Sequence, residues 1–383
     1  MPQQCKLMLD NYNGQYFPGT AIQGKVLIDL DSETSLRGVR LTLTCKERTE
    51  WMGTESYYDS QERTQRSRDT QFTGDRDVFE IKQWLYGDQN ASTSLHAGQH
   101  MYPFQIILQQ NIPGTYQSQK GSVSYKLKAT VDRKMAFDYS DEFILVVNSP
   151  IDLNFIARPE DLQSTNYSDE KTVCCWCCAQ GPITMDVQLP KKTLIPGEQI
   201  DVTAHLSNLS NTNVENVTLE LLQKLSFKVT DPEKDDKVEQ NTFVSLKDVG
   251  LGAHGENTYI FKVTLPPNVC LPNFTQCALF SVNYEYKIVA HLPSVHQNLE
   301  VKIYPSLGHI PLAASGQSSF SPGTQSEGGM YPSVGWVGGP DTRPSAPLLD
   351  PKEQQFSGSN QQTSQENFEP PPPSYDSLKW PSK

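Results

Sequence analysis

The sequence predicts an all-β protein: two antiparallel β-sandwich domains in tandem, followed by a disordered proline-rich C-terminal tail. Three observations carry this expectation. Apolar residues alternate with polar ones through most of the chain, a block of that pattern recurs in the same order further on, and the final stretch has too few apolar residues to pack.

The alternation comes first. In "GVRLTLTCKE", Val39, Leu41, Leu43 and Cys45 fall on one side and Arg40, Thr42 and Thr44 on the other, the period of a strand with one wet face. The stretches "SVSYKLKATV", "ITMDVQL", "QIDVTAHLSN", "NVTLELLQ", "TYIFKVTL", "FSVNYEYKIVAHL" and "NLEVKIY" read the same way, with Gly, Pro, Asn and Asp between them. No long stretch holds a 3.6-residue period. Many short strands bounded by turns fit an antiparallel sandwich and not an α/β enzyme fold.

The repeat comes second. "YFPGTAIQGKVLIDL" matches "LIPGEQIDVTAHLSN", with Pro18 on Pro196, Gly19 on Gly197 and Ile22 on Ile200, an offset of 178 that also sets Val39, Leu41 and Leu43 on Val217, Leu219 and Leu221. "YPFQIILQQNI" matches "YIFKVTLPPNV" at an offset of 157, and "VSYKLK" matches "VNYEYK" at 159. Four weak matches in one order indicate duplication. The shrinking offset means that the first copy carries a longer middle. Its surplus is the polar stretch "ERTEWMGTESYYDSQERTQRSRDTQF", too poor in aliphatics to bury itself and so a long hairpin or loop. The charged run "TDPEKDDKVEQ" reads as a hairpin tip in water.

These boundaries divide the chain into a first sandwich at residues 1–150, a linker and start of the second domain at 151–171, a second sandwich at 172–305 and a tail at 306–383. Residues 311–383 hold nine Leu, Ile, Val or Phe among 73, below the roughly 20% at which a packed core becomes implausible. Folding is therefore expected to finish by about Tyr304, with Pro, Gly, Ser and Gln setting the tail's character.

Composition narrows the function. The formal net charge of -12 disfavours nonspecific binding to nucleic acid. The first residues lack a charged n-region before an apolar run, and no eighteen apolar residues follow one another, so the reading is of a soluble intracellular protein with reduced thiols. The sequons at Asn208, Asn216 and Asn273 are then chance matches. The seven His lack metal-ligand spacing, and neither a Gly-rich phosphate loop nor a nucleophile elbow occurs. No catalytic residue, metal or cofactor is expected.

Binding motifs stand out instead. In "EPPPPSYDSLKW", Pro372, Pro373, Ser374 and Tyr375 form the Pro-Pro-X-Tyr ligand pattern of WW domains. Polyproline II has three residues per turn, which sets Pro372 and Tyr375 on one edge for an aromatic-lined groove. Pro370 and Pro371 stiffen the approach. Upstream, Pro344, Ser345, Ala346 and Pro347 have the form that the UEV domain of the ESCRT-I complex recognises, although such four-residue patterns also arise by chance in Pro- and Ser-rich text. About 65 flexible residues ahead of Pro372 would give an r.m.s. reach on the order of 45 Å.

The cluster "CCWCC" supports three readings. Cys174, Cys175, Cys177 and Cys178 could join Cys270 and Cys277 on zinc, although adjacent Cys pairs chelate less readily than Cys-X-X-Cys. They could carry S-acyl chains, as suits a protein working at a membrane. They could also be small apolar residues in the first strand of the second sandwich, with Cys174, Trp176 and Cys178 on one face.

Tandem sandwiches opening on Phe17-Pro18-Gly19 and Pro196-Gly197-Glu198, with "YPFQIIL", "GSVSYKLKA", "KTVCCWCCAQGPI" and a terminal "PPPPSY", resemble the alpha-arrestin family of arrestin domain-containing proteins over nearly the whole chain. That resemblance implies a trafficking adaptor. Its arrestin core would engage receptors or transporters as cargo, and its PPxY motif would recruit a HECT-type ubiquitin ligase through WW domains. Cargo would then be ubiquitylated, internalised and sorted through endosomes. The expected location is the cytoplasm, the cytoplasmic side of the plasma membrane, endosomes and lysosomes, with peripheral membrane association. A scaffold for ESCRT-dependent budding or retromer-like sorting, without cargo ubiquitination, is the rival. Residues 231–269 contain no Cys, which puts in doubt the thioredoxin link known for a relative of this family, thioredoxin-interacting protein. The chain carries one complete PPxY where family members often have two, which lowers the expected avidity.

Overall fold

The computed structural model describes residues 5–134, 136–175, 178–293 and 296–313. In it the alternating stretches are strands whose apolar sides face inward. The first sandwich is built from β1 (Cys5–Leu9), β2 (Ala21–Leu30), β3 (Thr34–Asp59), β4 (Thr64–Gly87), β5 (Thr93–Leu95), β6 (Gly98–Ile107), β7 (Tyr116–Ser118), β8 (Gly121–Arg133) and β9 (Tyr139–Leu145). One sheet runs β1-β2-β6; the other runs β4-β3-β8-β7, with β5 also on β3 and β9 also on β8. Ile22, Val26 and Ile28 belong to the same core cluster as Val39, Leu41, Leu43, Tyr125 and Leu127 of the second sheet.

Between the sandwiches lie α1 (Leu153–Ile156), with Asp152 accepting a hydrogen bond from the Asn154 amide, and a 3-10 turn at Pro159–Leu162. The second sandwich follows with β10 (Thr165–Cys175), β11 (Cys178–Leu189), β12 (Thr193–Leu194), β13 (Gln199–Asn208), β14 (Val214–Thr230), β15 (Glu233–Leu251), β16 (Glu256–Thr264), β17 (Phe280–His291), β18 (Leu299–Ile303) and β19 (Ser306–Leu307). Its sheets run β10-β11-β13-β16 and β15-β14-β17-β18.

Duplication shows in the register. Ile22 faces Ile106 across β2–β6, and Ile200 faces Val263 across β13–β16; Leu41 faces Ala129 across β3–β8, and Leu219 faces Ile288 across β14–β17. These pairs reproduce the sequence offsets of 178, 157 and 159. Each copy also enters its second core strand through the same turn. Pro18-Gly19 and Pro196-Gly197 are closed by Thr20 N to Phe17 O and Glu198 N to Ile195 O, both 3.1 Å. Gly19 and Gly197 have φ of +79° and +83°, the value a type II turn demands of its third residue, and proline presets the one before.

The longer middle of the first copy is the β3–β4 hairpin. β8 pairs with β3 as far as Thr49, whereas β4 follows β3 to Asp59, so a two-stranded ribbon extends past the sandwich. The charged run in the second copy reverses at Asp231-Pro232, between β14 and β15.

The expected end of folding near Tyr304 is corrected. β19 pairs in parallel with β12, His309 N and Ile310 N both donate to Ile151 O, and Ala313 N donates to Asn154 Oδ1. The C-terminal end of the second sandwich is thereby tied to the linker. Two-residue strands beside a proline carry no period, which is why alternation misses them.

Candidate functional site

The two tail motifs, at Pro344, Ser345, Ala346 and Pro347 and at Pro372, Pro373, Ser374 and Tyr375, lie outside the described residues, as do Trp176 and Cys177. What the structure does place is the cysteine hairpin and the junction of the two sandwiches.

Reading "CCWCC" as part of one strand is corrected. Cys174 and Cys175 end β10 and Cys178 opens β11, so the chain reverses inside the cluster. Cys175 stands opposite Cys178 and Cys174 opposite Ala179, after a register shift between Thr172 and Cys174. Cys174 and Cys178 therefore belong to different strands. Between the two strands the sequence holds none of the Gly, Asn or Pro that normally marks a change of direction.

At the junction, the inward side of β3 changes chemistry. Val39, Leu41, Leu43 and Cys45 are followed on the same side by Glu47 and Thr49, all buried. The Glu47 carboxylate, 0% exposed, accepts from Arg76 Nη1 at 2.8 Å, Ala278 N at 2.9 Å and Leu279 N at 2.9 Å. One carboxylate of the first sandwich thus caps two backbone amides of the second, and three donors offset its desolvation. Thr49 Oγ1 donates to Lys228 O. Further out, Thr73 and Asp231 exchange backbone hydrogen bonds of 2.8 and 2.9 Å, and Lys120 pairs with Glu239.

Apolar contact completes the joint. Leu225, Phe227, Phe274, Leu279 and Phe280 of the second sandwich lie within the core cluster of the first. Tyr116 meets Phe274 edge-on at 5.0 Å, and Phe280 meets Phe227 at 5.7 Å and Phe274 at 5.1 Å. On the other side of the loop, Asn273 Nδ2 donates to Ser149 Oγ, which donates to Ile112 O. The amides of two sequon residues are thus engaged internally, since Asn208 Nδ2 also donates to Thr212 O and Gly252 O.

Burial raises several thiols and a phenol of the first sandwich's core and of the joint. The Cys5 and Cys45 thiols are each pushed up to about 12, mainly by burial. Burial, and then the Glu47 carboxylate, raises Cys277, and burial raises the Tyr125 phenol. These thiols are poor nucleophiles. His309 is lowered by burial, and its Nδ1 accepts from Ile151 N at 3.0 Å. Among the described residues no three His, Cys, Asp or Glu side chains converge to hold a metal, and no helix is long and apolar enough to cross a membrane.

The arrangement is suited to fixing two binding platforms against each other. Glu47 was not among the sequence-predicted residues; its signal is an acid at an inward position of an otherwise apolar alternation. Beside the joint, a cleft of about 220 Å³ is lined by Phe17, Pro18, Phe155, Ile156 and Ile310, with Phe155 79% and Ile156 54% exposed.

Comparison with known proteins follows the same division. The family described as "Arrestin (or S-antigen), N-terminal domain" matches residues 5–154, and "Arrestin (or S-antigen), C-terminal domain" matches residues 179–312. Arrestin domain-containing protein 4 of Mus musculus is 23% identical over 326 residues, covering 82% of this chain and 74% of its own. Arrestin domain-containing protein 17 of Caenorhabditis elegans is 24% identical over 308 residues, 80% of this chain and 70% of its own. Arrestin domain-containing protein 1 of Mus musculus is 22% identical over 322 residues, covering 81% and 66%. With both sandwiches matched in order and most of the chain covered, the protein belongs to the arrestin family, among the alpha-arrestins or arrestin domain-containing proteins.

Proposed function

We propose that this arrestin-type protein is a trafficking adaptor, not an enzyme. Its joined sandwiches hold membrane cargo such as receptors or transporters, and Pro372, Pro373 and Tyr375 recruit WW-domain HECT-type ubiquitin ligases, so that cargo is ubiquitylated, internalised and sorted. The observation that carries this reading is the presence in one chain of a jointed arrestin core and a complete Pro-Pro-X-Tyr motif. The adaptor would work on the cytoplasmic side of the plasma membrane and at endosomes and lysosomes. Its placement at the end of β10 and start of β11 supports acylation of the cysteine cluster, because a hairpin end can approach a membrane surface without disturbing the sheet.

Affinity capture of WW-domain ligase by the full chain and by Tyr375→Ala tests the proposal. Recovery should fall at least about tenfold in the variant, since the phenol ring fills the groove; equal recovery removes the proposed role of Tyr375. A second reading, a scaffold for ESCRT-dependent budding, is favoured by Pro344-Ser345-Ala346-Pro347. Truncation after Ala313, which keeps β19, separates the two: cargo turnover should slow for the adaptor and stay unchanged for the scaffold.

A further inference from the structure

We propose that Asn13, followed by Gly14 in the loop between β1 and β2, is a site of spontaneous deamidation, where the side-chain amide leaves as ammonia and a mixture of aspartate and isoaspartate remains. Asparagine reacts in this way through the backbone, when the main-chain nitrogen of the next residue attacks the side-chain carbonyl. The attack needs that nitrogen uncrowded and the local backbone free to turn, which glycine allows best. Asn13-Gly14 is the one Asn-Gly pair in the sequence, so every other asparagine has a Cβ beside its nucleophile.

The structure meets the second condition. Asn13 and Gly14 are both exposed and lie outside the strands. Gly14 has φ of +106°, and a Cβ built on it would meet nothing within 4 Å, so the backbone here has open space in which to turn. Among the described residues, neither the Asn13 side chain nor the Gly14 N–H has a hydrogen-bond partner. The pair's polar contact is the Tyr12 hydroxyl, which donates to Gly14 O at 2.8 Å in a bond exposed to water.

Other asparagines show what the fold protects. Asn11 Oδ1 accepts from Tyr16 Oη and Gln23 N, and its Nδ2 donates to Ala21 O, which fixes the amide. Asn148 also precedes a small residue, but Asn148 N donates to Tyr16 O, its Nδ2 donates to Gln15 Oε1, and Ser149 is buried with its hydroxyl on Ile112 O. In Asn90-Ala91 the would-be nucleophile, Ala91 N, donates to Asp88 O.

In the reaction Gly14 N gives its proton to hydroxide and bonds to Asn13 Cγ. The bond from Cγ to Nδ2 breaks, ammonia leaves, and a succinimide ring closes. Water then opens the ring at either carbonyl. Cleavage at Cγ gives aspartate; cleavage at the main-chain carbon gives isoaspartate, whose chain runs through Cγ. One water is consumed and one ammonia released, and no oxidant is needed. Either product places a carboxylate, ionised at neutral pH, in the loop. Isoaspartate also adds a methylene to the main chain between Tyr12 and the Gly14 carbonyl that its hydroxyl holds.

The test incubates the full chain at neutral pH and body temperature, in buffer and in denaturing urea. Mass spectrometry then follows the peptide between the cleavages after Lys6 and Lys25, together with the peptides that carry Asn90 and Asn148. In buffer the first peptide should gain the mass of an amide exchanged for an acid, localised to Asn13 and not Asn11. It should do so at least about tenfold faster than Asn90 or Asn148, whose reaction waits for local opening. In urea the gap should narrow, because the fold protects Asn148 and leaves Asn13 free. Asn13→Gln, with the parent's far-ultraviolet circular dichroism, should lose the gain. A gain at Asn13 that appears only in urea overturns the proposal. So does reaction at Asn148 in buffer as fast as at Asn13, or a gain that persists in Asn13→Gln.

Discussion

The ends of β3 and β14 occupy equivalent places in the two sandwiches, yet they meet each other with opposite chemistry. At the offset of 178, Glu47 corresponds to Leu225 and Thr49 to Phe227. In the first copy these inward positions are polar and reach the backbone of the second; in the second copy they are apolar and lie in the core of the first. The paired strands repeat the contrast. Thr49 faces Gly121, and Phe227 faces Phe280. A Cβ on Gly121 would lie 2.8 Å from Cζ of Phe280, so the small residue of one copy makes room for the large residue of the other. Two identical copies could not join in this way. Duplication kept the register that builds each core, and the joint was built by diverging at matched positions.

The largest effect should come from breaking the polar side. Glu47→Ala leaves Arg76 and the amides of Ala278 and Leu279 without their shared acceptor. Each amide left unsatisfied costs about 1–3 kcal/mol, whereas Arg76, which is partly exposed, can turn to water. Urea unfolding should show a lower midpoint, or a separate early transition if the second sandwich survives alone. Glu47→Leu, which copies the residue of the other sandwich, should be no better, because a leucine accepts no hydrogen bond. Recovery of full stability by Glu47→Leu would contradict the assignment of Glu47 as an amide cap.

Next comes the apolar side. Leu225→Ala should cost about 2–5 kcal/mol, as for a buried leucine whose cavity cannot fully collapse. Because Leu225 lies in the first sandwich's core cluster, the loss should be felt by probes in that domain, such as hydrogen exchange at the Leu41 and Leu127 amides. An effect confined to the second sandwich would refute the shared core. A smaller loss, about 1–3 kcal/mol, is expected for Thr49→Val, which keeps the shape but leaves the Lys228 carbonyl without its donor. The midpoint shift in urea relative to the parent checks it.

How far the sequence reveals all this depends on range. Alternation and repetition are local, so β2, β3, β8 and their counterparts, their inward residues and even the pairing offsets are legible. The joint is not. Glu47 and Leu279 are 232 residues apart, and nothing nearby in sequence tells an inward acid where its donors will be. The cysteine hairpin fails for another reason: its turn has none of the residues that mark turns, so the period runs straight through the reversal. β19 fails because two residues cannot display a period. Each miss concerns a contact whose partner is distant or a local signal that is missing or shorter than the repeat that reveals it.

The smallest predicted effect concerns the tie between the end of the second sandwich and the linker, a contact for which neither copy supplies a template. His309 Nδ1 accepts from Ile151 N, so its neutral form is the one that fits. Burial lowers its pKa below the ordinary 6.5, and no neighbouring charge contributes to the shift. In the window below 6.5 and above the lowered folded value, the unfolded chain therefore binds more protons than the folded one. Stability must rise with pH through that window; the contribution is complete above 6.5 and is lost as pH falls towards the folded pKa. His309→Asn offers an amide oxygen to the same Ile151 amide and does not titrate. Urea midpoints measured from about pH 5 to about pH 7.5 should fall less steeply on acidification in the variant than in the parent. The difference between the curves isolates this histidine from the carboxylates that both proteins share. Parallel curves would mean that the linker tie does not feel the proton on His309.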